Sequence, residues 1–525
     1  MSNGGEPNKK MTSSAWRAEF KQRPETAWRP WLFYVYGIAA TLYLVWRLSG
    51  TVNWSVWYGP LLLAADLYGI ITTWLFLLIV RRIYDPIHRC AHKRYTVDAI
   101  IPTYNESIGV VGPTIKMAKA VRGINKVIVL DDGNRADIAS LCRRLGVSYQ
   151  ASKDNQHAKA GNLNQGLVMS KAELLLLLDC DHMPRPNFLE RTIGYFDDAT
   201  VGVVQTPQTY YNRKSFLYCQ GRLGKLWSEQ GMFYECIQPA KNSFNAAFFV
   251  GTSAVLRRAA IDSIGGFATG TATEDIHSSL RLHALGWRSI FVDEPLAFGL
   301  EAASFKEFYK QRLRWAAGSL GLLLRSGDSP LVIPGLSLGQ RLNYLSATLA
   351  HLAGVQRLLY VLIPIFCIFW LASPVDMSLT GFMTIYLPFL FLSIFLTALA
   401  ARGTYNIFFT EAFGLASMLT HLMALKGVVR IQKKFDVSRK LALYTEKTWV
   451  KYGLYGLLII FVLTLVRASL LLANPLPSQT RELVIISSCF VGMNIIILGG
   501  FLRYLSKYEN GASAPSTQVL KTKPA

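Results

Sequence analysis

The sequence predicts an α/β domain with a mainly parallel sheet, inserted into an α-helical membrane domain of about six spans that also carries amphipathic interface helices. Three observations predict it. Hydrophobic residues make up 51% of the chain and charged residues only 17%, against roughly 25% charged in an average soluble domain. The apolar residues gather in blocks, and a hydrocarbon core of about 30 Å takes roughly 17 to 25 helical residues to cross. Between the second and third blocks lie short apolar runs that end in polar or acidic clusters, with helix-length segments between them.

The blocks run from Trp31 to Leu48, Tyr58 to Val80, Arg357 to Ser373, Phe382 to Ala401, Tyr452 to Ala473 and Leu483 to Leu502. Their flanks set an orientation, because cytoplasmic loops carry the excess of Lys and Arg. Ser49 to Trp57 and Pro374 to Gly381 contain neither, and Asn474 to Glu482 contains only Arg481. The amino-terminal tail, Arg81 to Arg94 and Arg402 to Lys451 are rich in both. The expectation is an integral protein of the inner (cytoplasmic) membrane, with both termini and the central region in the cytoplasm and the bilayer as a partner. The net charge of +22 then belongs to these flanks and to anionic lipid, which argues against nucleic acid as a partner. Seven scattered cysteines form no CxxC pair and indicate neither a disulfide framework nor a zinc site. The polar stretch Met1 to Arg29 is followed by no small-residue cleavage site, so the first block reads as a retained anchor.

The central region, residues 95–324, holds the runs VDAIIPT, KVIVLDDG and ELLLLLDCD. Continuous apolar runs suit parallel strands covered on both faces, and ligands gather at the carboxyl ends of such strands. Those ends carry Thr103, Asp131, Asp132, Asp179 and Asp181. Phe305 to Leu324 and Asn406 to Arg430 mix apolar residues with charges and are expected to lie at the interface. The chain thus divides into a polar tail (1–30), two spans (31–80), the α/β domain (95–324), a membrane domain with four spans (325–505) and a disordered tail (506–525).

Asp179 and Asp181 stand at i and i+2 at a strand end, so their carboxylates leave one face. Close carboxylates favour a hard cation between them, Mg2+ or Mn2+, which also bridges to phosphate; taken alone, the triplet is equally a solvated acidic turn. His182 follows directly and is a further metal or phosphate contact, or a turn residue. Asp131-Asp132-Gly133 ends the preceding strand, where an acid can accept the imide N–H of uracil. Thr103 and Glu106, in PTYNE, face it from the first strand. Lys159, among the small residues of HAKAGN, can reach a phosphate. Asp275, in TED, opens a helix, where an acid is often only a cap. It can also act as a general base toward a sugar hydroxyl. In Gln311-Arg312-Leu313-Arg314-Trp315, Arg314 can clamp diphosphate charge and Trp315 can offer an apolar face to a pyranose ring. A membrane-interface belt explains Arg and Trp equally well when the pentapeptide stands alone.

Together these motifs resemble those of the processive family 2 glycosyltransferases, the bacterial cellulose synthases among them. DDG at Asp131, DCD at Asp179, TED at Asp275 and QRLRW at Gln311 match the D, DxD, D, QxxRW signature in order and separation. The resemblance implies a GT-A (Rossmann-like) domain in the cytosol feeding a channel formed by the chain's own helices. It implies that Thr103, Glu106, Asp131, Asp132 and Lys159 hold UDP, that Asp179 and Asp181 hold the metal, and that Asp275 is the base. Gln311, Arg314 and Trp315 would sit over the diphosphate and the acceptor end. Phe435-Asp436-Val437-Ser438-Arg439-Lys440 is similar to the family's FxVTxK gating loop, with Ser for Thr and lying before the fifth span, which implies an acceptor or gating role for Phe435, Val437, Ser438 and Lys440. Phe248-Phe249-Val250-Gly251-Thr252 stands where cellulose synthases carry a cysteine-containing FFCGS-like loop. Phe249, Gly251 and Thr252 therefore mark the acceptor side and leave the linkage open. About twenty residues follow the last span, too few for a PilZ domain.

The resulting expectation is a processive, inverting transferase that polymerises glucose from UDP-glucose into a β-glucan and moves it across the membrane. Its partners would be the donor, the growing polysaccharide and, in some systems, accessory subunits of the envelope. A β-1,3- or mixed-linkage glucan synthase and an N-acetylglucosamine polymer synthase are the alternatives within the class. Outside it stands a transporter with a nucleotide-binding domain, which would use the intramembrane Asp66 and Arg467.

Overall fold

The computed structural model describes residues 19–152, 158–213, 215–220, 226–302, 304–325, 327–376, 378–429 and 449–512. The sequence between the second and third apolar blocks folds around a seven-stranded sheet. Its strands are β1 (Val97–Thr103), β2 (Lys126–Asp131), β3 (Ser148–Ala151), β4 (Leu174–Leu177), β5 (Val201–Gln205), β6 (Ala254–Arg257) and β7 (Arg288–Phe291). They lie in the order β7-β5-β6-β4-β1-β2-β3. All neighbours are parallel except β6, which runs antiparallel to both β4 and β5. Every residue of β1 and β4 is buried, as continuous apolar runs require when helices cover both faces. One face packs Ile101, Val129, Leu176 and Val255 with Ile115 and Phe188, and the other packs Ile100, Leu130 and Leu177 with Leu163 and Phe267. This is the mixed, doubly covered sheet expected of a GT-A-like domain.

The carboxyl ends of β4, β1 and β2 line one edge, and Thr103 pairs in register with Asp131. Next to that edge a small sheet joins Met183–Pro184, Ala297–Gly299 and Thr209–Tyr210. Residues 19–29 dock on the domain: Phe20–Gln22 pairs with Tyr84–Pro86, and Arg23 bridges Asp85 and, at 2.6 Å, Asp293.

Among the described residues, seven helices are long and apolar enough to cross a membrane: Pro24–Thr51, Gly59–Val80, Leu338–Trp370, Leu379–Ala400, Ile407–Lys426, Trp449–Leu472 and Ser478–Glu509. This is one more than the sequence blocks give. The additional helix, Ile407–Lys426, falls in the segment expected to lie at the interface. Its Glu411 pairs with Arg357 of the span Leu338–Trp370, so a charge that suggested an amphipathic surface is engaged within the bundle. Asp66 is likewise held, by Arg47 at 3.2 Å, Tyr43 at 3.1 Å and Tyr360 at 3.0 Å. Arg467 donates to the carbonyls of Ile368 and Phe369 at 3.3 and 3.2 Å, which caps the end of a neighbouring helix. Both ionisable residues therefore have structural partners in the bundle.

The sheet domain and the bundle share a core. Phe216 and Phe308 pack with Phe413 and Phe501, with the Phe216 and Phe413 rings stacked 6.2 Å apart, and Trp227 donates to the Thr404 carbonyl at 2.7 Å.

One buried cation stands outside these pairings. Lys241 is 1% exposed, its Nζ has no hydrogen-bond partner among the described residues, and it lies 4.1 Å from the Phe248 ring centroid. Burial pushes its pKa down to about 7. A lysine neutralised by folding carries a penalty that is absent above its unfolded pKa near 10.4, grows as pH falls and levels off below about 7. Lys241→Met is expected to raise stability by about 1–4 kcal/mol at neutral pH. Thermal unfolding in detergent at pH 7 and pH 10 checks this, because the gain should shrink at the higher pH.

Candidate active site

At the β1–β2 end, backbone and side chains knit PTYNE to DDG. Thr103 Oγ1 donates to Glu106 Oε2 at 2.7 Å, and Arg135 Nη2 donates to Thr103 Oγ1 at 2.8 Å. Asp131 is fully buried and accepts from the Gly133 N–H at 3.0 Å, the Arg135 N–H at 2.7 Å and the Tyr149 hydroxyl at 3.0 Å, besides its ion pair with Arg135 at 2.9 Å. Its carboxylate thus shapes the turn. Asp132, half-buried, is the member of the pair nearer the surface. Gly133 allows that turn to abut the first motif: a Cβ there would lie 2.3 Å from the Tyr104 carbonyl oxygen. Arg135 and Tyr149 were not legible as site residues, although Arg135 follows DDG by only two positions.

At the β4 end, ligand atoms of Asp179, Asp181 and His182 lie within 4.8 Å of one another. Asp181 and His182 are each 2% exposed, and His182 Nδ1 lies 3.2 Å from Asp181 Oδ1. The Leu300 N–H donates to Asp181 Oδ2 at 3.3 Å. The ring of His182 lies so close over Gly299 that a Cβ there would be 2.3 Å from Cε1. His182 Nε2 is buried without a partner among the described residues. Two hard carboxylates and an orphaned imidazole nitrogen fit a divalent cation, which these three residues could hold.

Lys159 opens the helix Ala158–Met169 and joins this corner to the segment Phe248–Thr252. Its Nζ donates to Asp179 Oδ1 at 2.6 Å and to the Gly251 carbonyl at 2.8 Å, and lies 3.8 Å from Glu274. Burial opposes its charge, but Asp179, Glu274 and Asp275 outweigh that and hold its pKa above the ordinary lysine value. Gly251 adopts φ +87°, and a Cβ on it would lie 3.2 Å from both Asp275 Oδ2 and Lys159 Nζ. Only glycine suits a backbone so turned and so closely approached. Thr252 accepts from the Asp179 N–H at 2.8 Å and so props the acid. Phe249 differs from its expected place on the acceptor side: it is 1% exposed and packs with Phe267 in the sheet core. A large apolar ring beneath the loop gains more from that core than from the cleft. Its N–H binds Ser279 of the Asp275 helix at 2.9 Å.

Asp275 lies in the first turn of the helix Glu274–Ala284, where negative charge is favoured. Burial and the Glu274 carboxylate push it up to about 7, against the Ile276 N–H, Lys159 and Arg314, which draw it down. Removing the Glu274 charge should therefore move the ionisation of Asp275 to lower pH. In Glu274→Gln, the acid limb of the rate profile is expected to shift downward, as initial rates between pH 5 and 9 would record.

The QRLRW motif lies on the helix Phe305–Arg325. One turn past Arg314, a Cβ on Gly318 would lie 2.6 Å from Thr273 Cγ2, so this helix meets the TED segment at close contact. Arg314 is within electrostatic reach of Asp275. The Arg312 guanidinium lies 4.3 Å from the Trp315 ring centroid and 4.9 Å from that of Phe308, and pairs with Glu229. The Oε1 of Gln311 is buried without a partner among the described residues. Behind the cleft, Gln230 Nε2 lies 3.4 Å from both Glu301 oxygens and 3.5 Å from the Tyr210 hydroxyl. Burial, then the charges of Glu301 and Asp275, raise the pKa of Tyr234. Nothing in the sequence marked Gln230, Tyr210, Tyr234 or Glu301, which meet only through the fold. His157 and the loop carrying Phe435, Val437, Ser438 and Lys440 lie outside the described residues.

Thr103, Glu106 and Asp132 thus lie along one edge, with Lys159, Asp179, Asp181, Asp275 and the Arg314 helix around its corner. Residues 174–423 match the model of glycosyl transferase family group 2. The chain carries a family 2 glycosyltransferase domain. The chain is 34% identical over 416 residues to the cellulose synthase 1 catalytic subunit [UDP-forming] of Komagataeibacter xylinus, covering 76% of this chain and 55% of that one. It is 36% identical over 344 residues to the cellulose synthase catalytic subunit [UDP-forming] of Pseudomonas fluorescens (strain SBW25), covering 62% and 46%. The chain therefore spans about half the length of these curated relatives. Among solved structures, the chain is similar to a mannosyltransferase from Pyrobaculum calidifontis in complex with GDP-Man and Mn2+, at 16% identity and TM-score 0.49, covering 71% of this chain and 98% of that one.

Proposed function

We propose that the protein polymerises glucose from UDP-glucose into a β-linked, cellulose-like glucan, and passes the product through its own helices across the membrane. The observation that carries this reading is the convergence of Lys159, Gly251 and Asp275, with the Arg314 helix against Thr273. In this reading, Thr103, Glu106 and Asp132 hold the uridine, and Lys159 and Arg314 stabilise diphosphate charge. Asp179, Asp181 and His182 would hold Mg2+ or Mn2+, which neutralises charge on the departing diphosphate. Asp275 takes the proton from a non-reducing-end hydroxyl as its oxygen bonds to C1 of the donor. The bond from C1 to the phosphate oxygen breaks, and UDP leaves with the electron pair. A single displacement of this kind inverts the anomeric centre, and a pKa near neutrality suits the base to that task. Trp315 offers its face to the acceptor sugar.

The shared core of domain and bundle favours extrusion coupled to synthesis over a transporter that only binds nucleotide. Purified protein incubated with labelled UDP-glucose or UDP-N-acetylglucosamine should incorporate the former into insoluble product, and a chelator should abolish incorporation until Mg2+ or Mn2+ is restored. Incorporation of neither sugar would overturn the reading, and linkage analysis of the product would distinguish β-1,4 from β-1,3 or mixed glucan.

A further inference from the structure

Three of the candidate spans reach the sheet domain at one corner. The first grows out of the docked segment 19–29, the helix Gly59–Val80 ends shortly before Tyr84–Pro86, and the helix Leu379–Ala400 ends shortly before Arg402. A cavity of about 430 Å³ lies at this corner, and its charged lining is Lys21, Arg23 and Arg402 with Glu25, Asp85 and Asp293. It opens to the surface: the side chains of Glu25, Asp85 and Arg402 are 55%, 40% and 25% exposed. Trp28 and Trp31, on and just after the same segment, are 46% and 71% exposed. Exposed indoles gather at the headgroup level of a bilayer.

The pairing around the cavity is incomplete. Arg23 bridges Asp85 and Asp293 and is 8% exposed, and its Nη1 has no partner among the described residues. Arg29 is 4% exposed, within electrostatic reach of Arg23 and Glu25, and leaves Nε and Nη1 unpaired among the described residues. Arg402 is held at the rim by the Glu235 carbonyl at 2.7 Å and by Glu25 at 3.5 Å. A guanidinium does not shed its proton, and buried polar groups are ordinarily paired. Donors left over on two guanidinium groups therefore call for an acceptor from outside the chain.

The acceptor that suits several charged N–H donors at once is a phosphate. The lining nonetheless sets three cations against three carboxylates, so a ligand of net negative charge meets as much repulsion as attraction. A ligand that carries an ammonium group beside its phosphate meets both signs, because each carboxylate has lone pairs beyond those its arginine uses. That is the headgroup chemistry of an aminophospholipid.

We propose that the cavity binds the phosphoethanolamine headgroup of a phospholipid, its phosphodiester accepting from Lys21, Arg23 and Arg402 and its ammonium donating to Glu25 and Asp85. The bound lipid ties the first span to the sheet domain, and the assignment stands whichever sugar the cleft transfers.

The full chain, stripped of lipid in detergent, can be titrated with dioleoyl phosphatidylethanolamine, phosphatidylcholine or phosphatidylglycerol, with bound lipid counted by native mass spectrometry. The ethanolamine lipid is expected to bind about tenfold more tightly than either other, because choline has no N–H to donate and glycerol has no positive charge; one charged hydrogen bond carries that factor. Arg402→Gln is expected to weaken its binding by a similar factor, and Lys21→Gln, at an exposed position, to weaken it without disturbing the fold. Equal binding of the three lipids, tighter binding of either other lipid, or unchanged binding in Lys21→Gln and Arg402→Gln would overturn the proposal. Soluble phosphoethanolamine binding as tightly as the diacyl lipid would overturn the lipid as its source.

Discussion

Asp275→Asn is expected to lower glycosyl transfer by about 10²–10⁴-fold, the contribution of a positioned general base, while UDP-glucose binding persists. The substitution keeps shape and the hydrogen bond from the Ile276 N–H at 2.8 Å, and removes only the capacity to take a proton. The same carboxylate should govern the pH dependence of the unsubstituted enzyme. A general base works in its ionised form, and burial with Glu274 raises the Asp275 pKa to about 7. The rate should therefore rise with pH through neutrality and flatten about one unit above it, a profile missing from the residual activity of Asp275→Asn. Initial rates of label incorporation across pH 5 to 9 check both statements; a variant within tenfold of the parent would assign the proton to another group.

Gly299→Ala carries the second large expected effect. A methyl at this position would sit 2.3 to 2.6 Å from three atoms of the His182 ring, well inside the roughly 3.5–4.0 Å at which carbon contacts are favourable. His182 is 2% exposed and backed by Tyr210, with ring centroids 6.0 Å apart, so the ring has little room to retreat. Either the imidazole turns away from Asp181, or the strand Ala297–Gly299 withdraws and takes the Leu300 N–H from the Asp181 carboxylate. Both outcomes disorder the three ligands. Overpacking of this kind costs about 1–3 kcal/mol, and displaced ligand support costs about 10–100-fold in metal affinity. Calorimetric titration with Mn2+ would measure the loss, and parental affinity would show that His182 has no part in holding the ion.

The parallel strands were legible because burial on both faces leaves an unbroken apolar run, as in VDAIIPT, ending where the acids begin. The strands Val201–Gln205, Ala254–Arg257 and Arg288–Phe291 were not singled out: runs of four or five residues carry little periodicity, and pairing decides them. The antiparallel insertion of Ala254–Arg257 between two other strands has no local signal at all. In the candidate site, the sequence marked residues within single motifs and gave no sign of contacts made between motifs. Arg135 reaches Thr103, and Gln230 reaches Glu301, through contacts that only the folded chain creates. Phe249 shows the opposite failure, where a residue beside functional ones serves the core. The helix at 407–429 read as amphipathic because Glu411, His421 and Lys426 interrupt it, and its neutralising partner Arg357 lies far away in sequence.

The aromatic seam joining Phe216 and Phe308 to Phe413 and Phe501 makes the catalytic and bilayer-facing parts interdependent for their existence. Excising the sheet domain as a freestanding fragment would strip these rings of their cover and leave a sticky, oil-like scar in water. Heat that loosens the bundle should likewise dismantle the cleft above it, so detergents that preserve one will preserve the other.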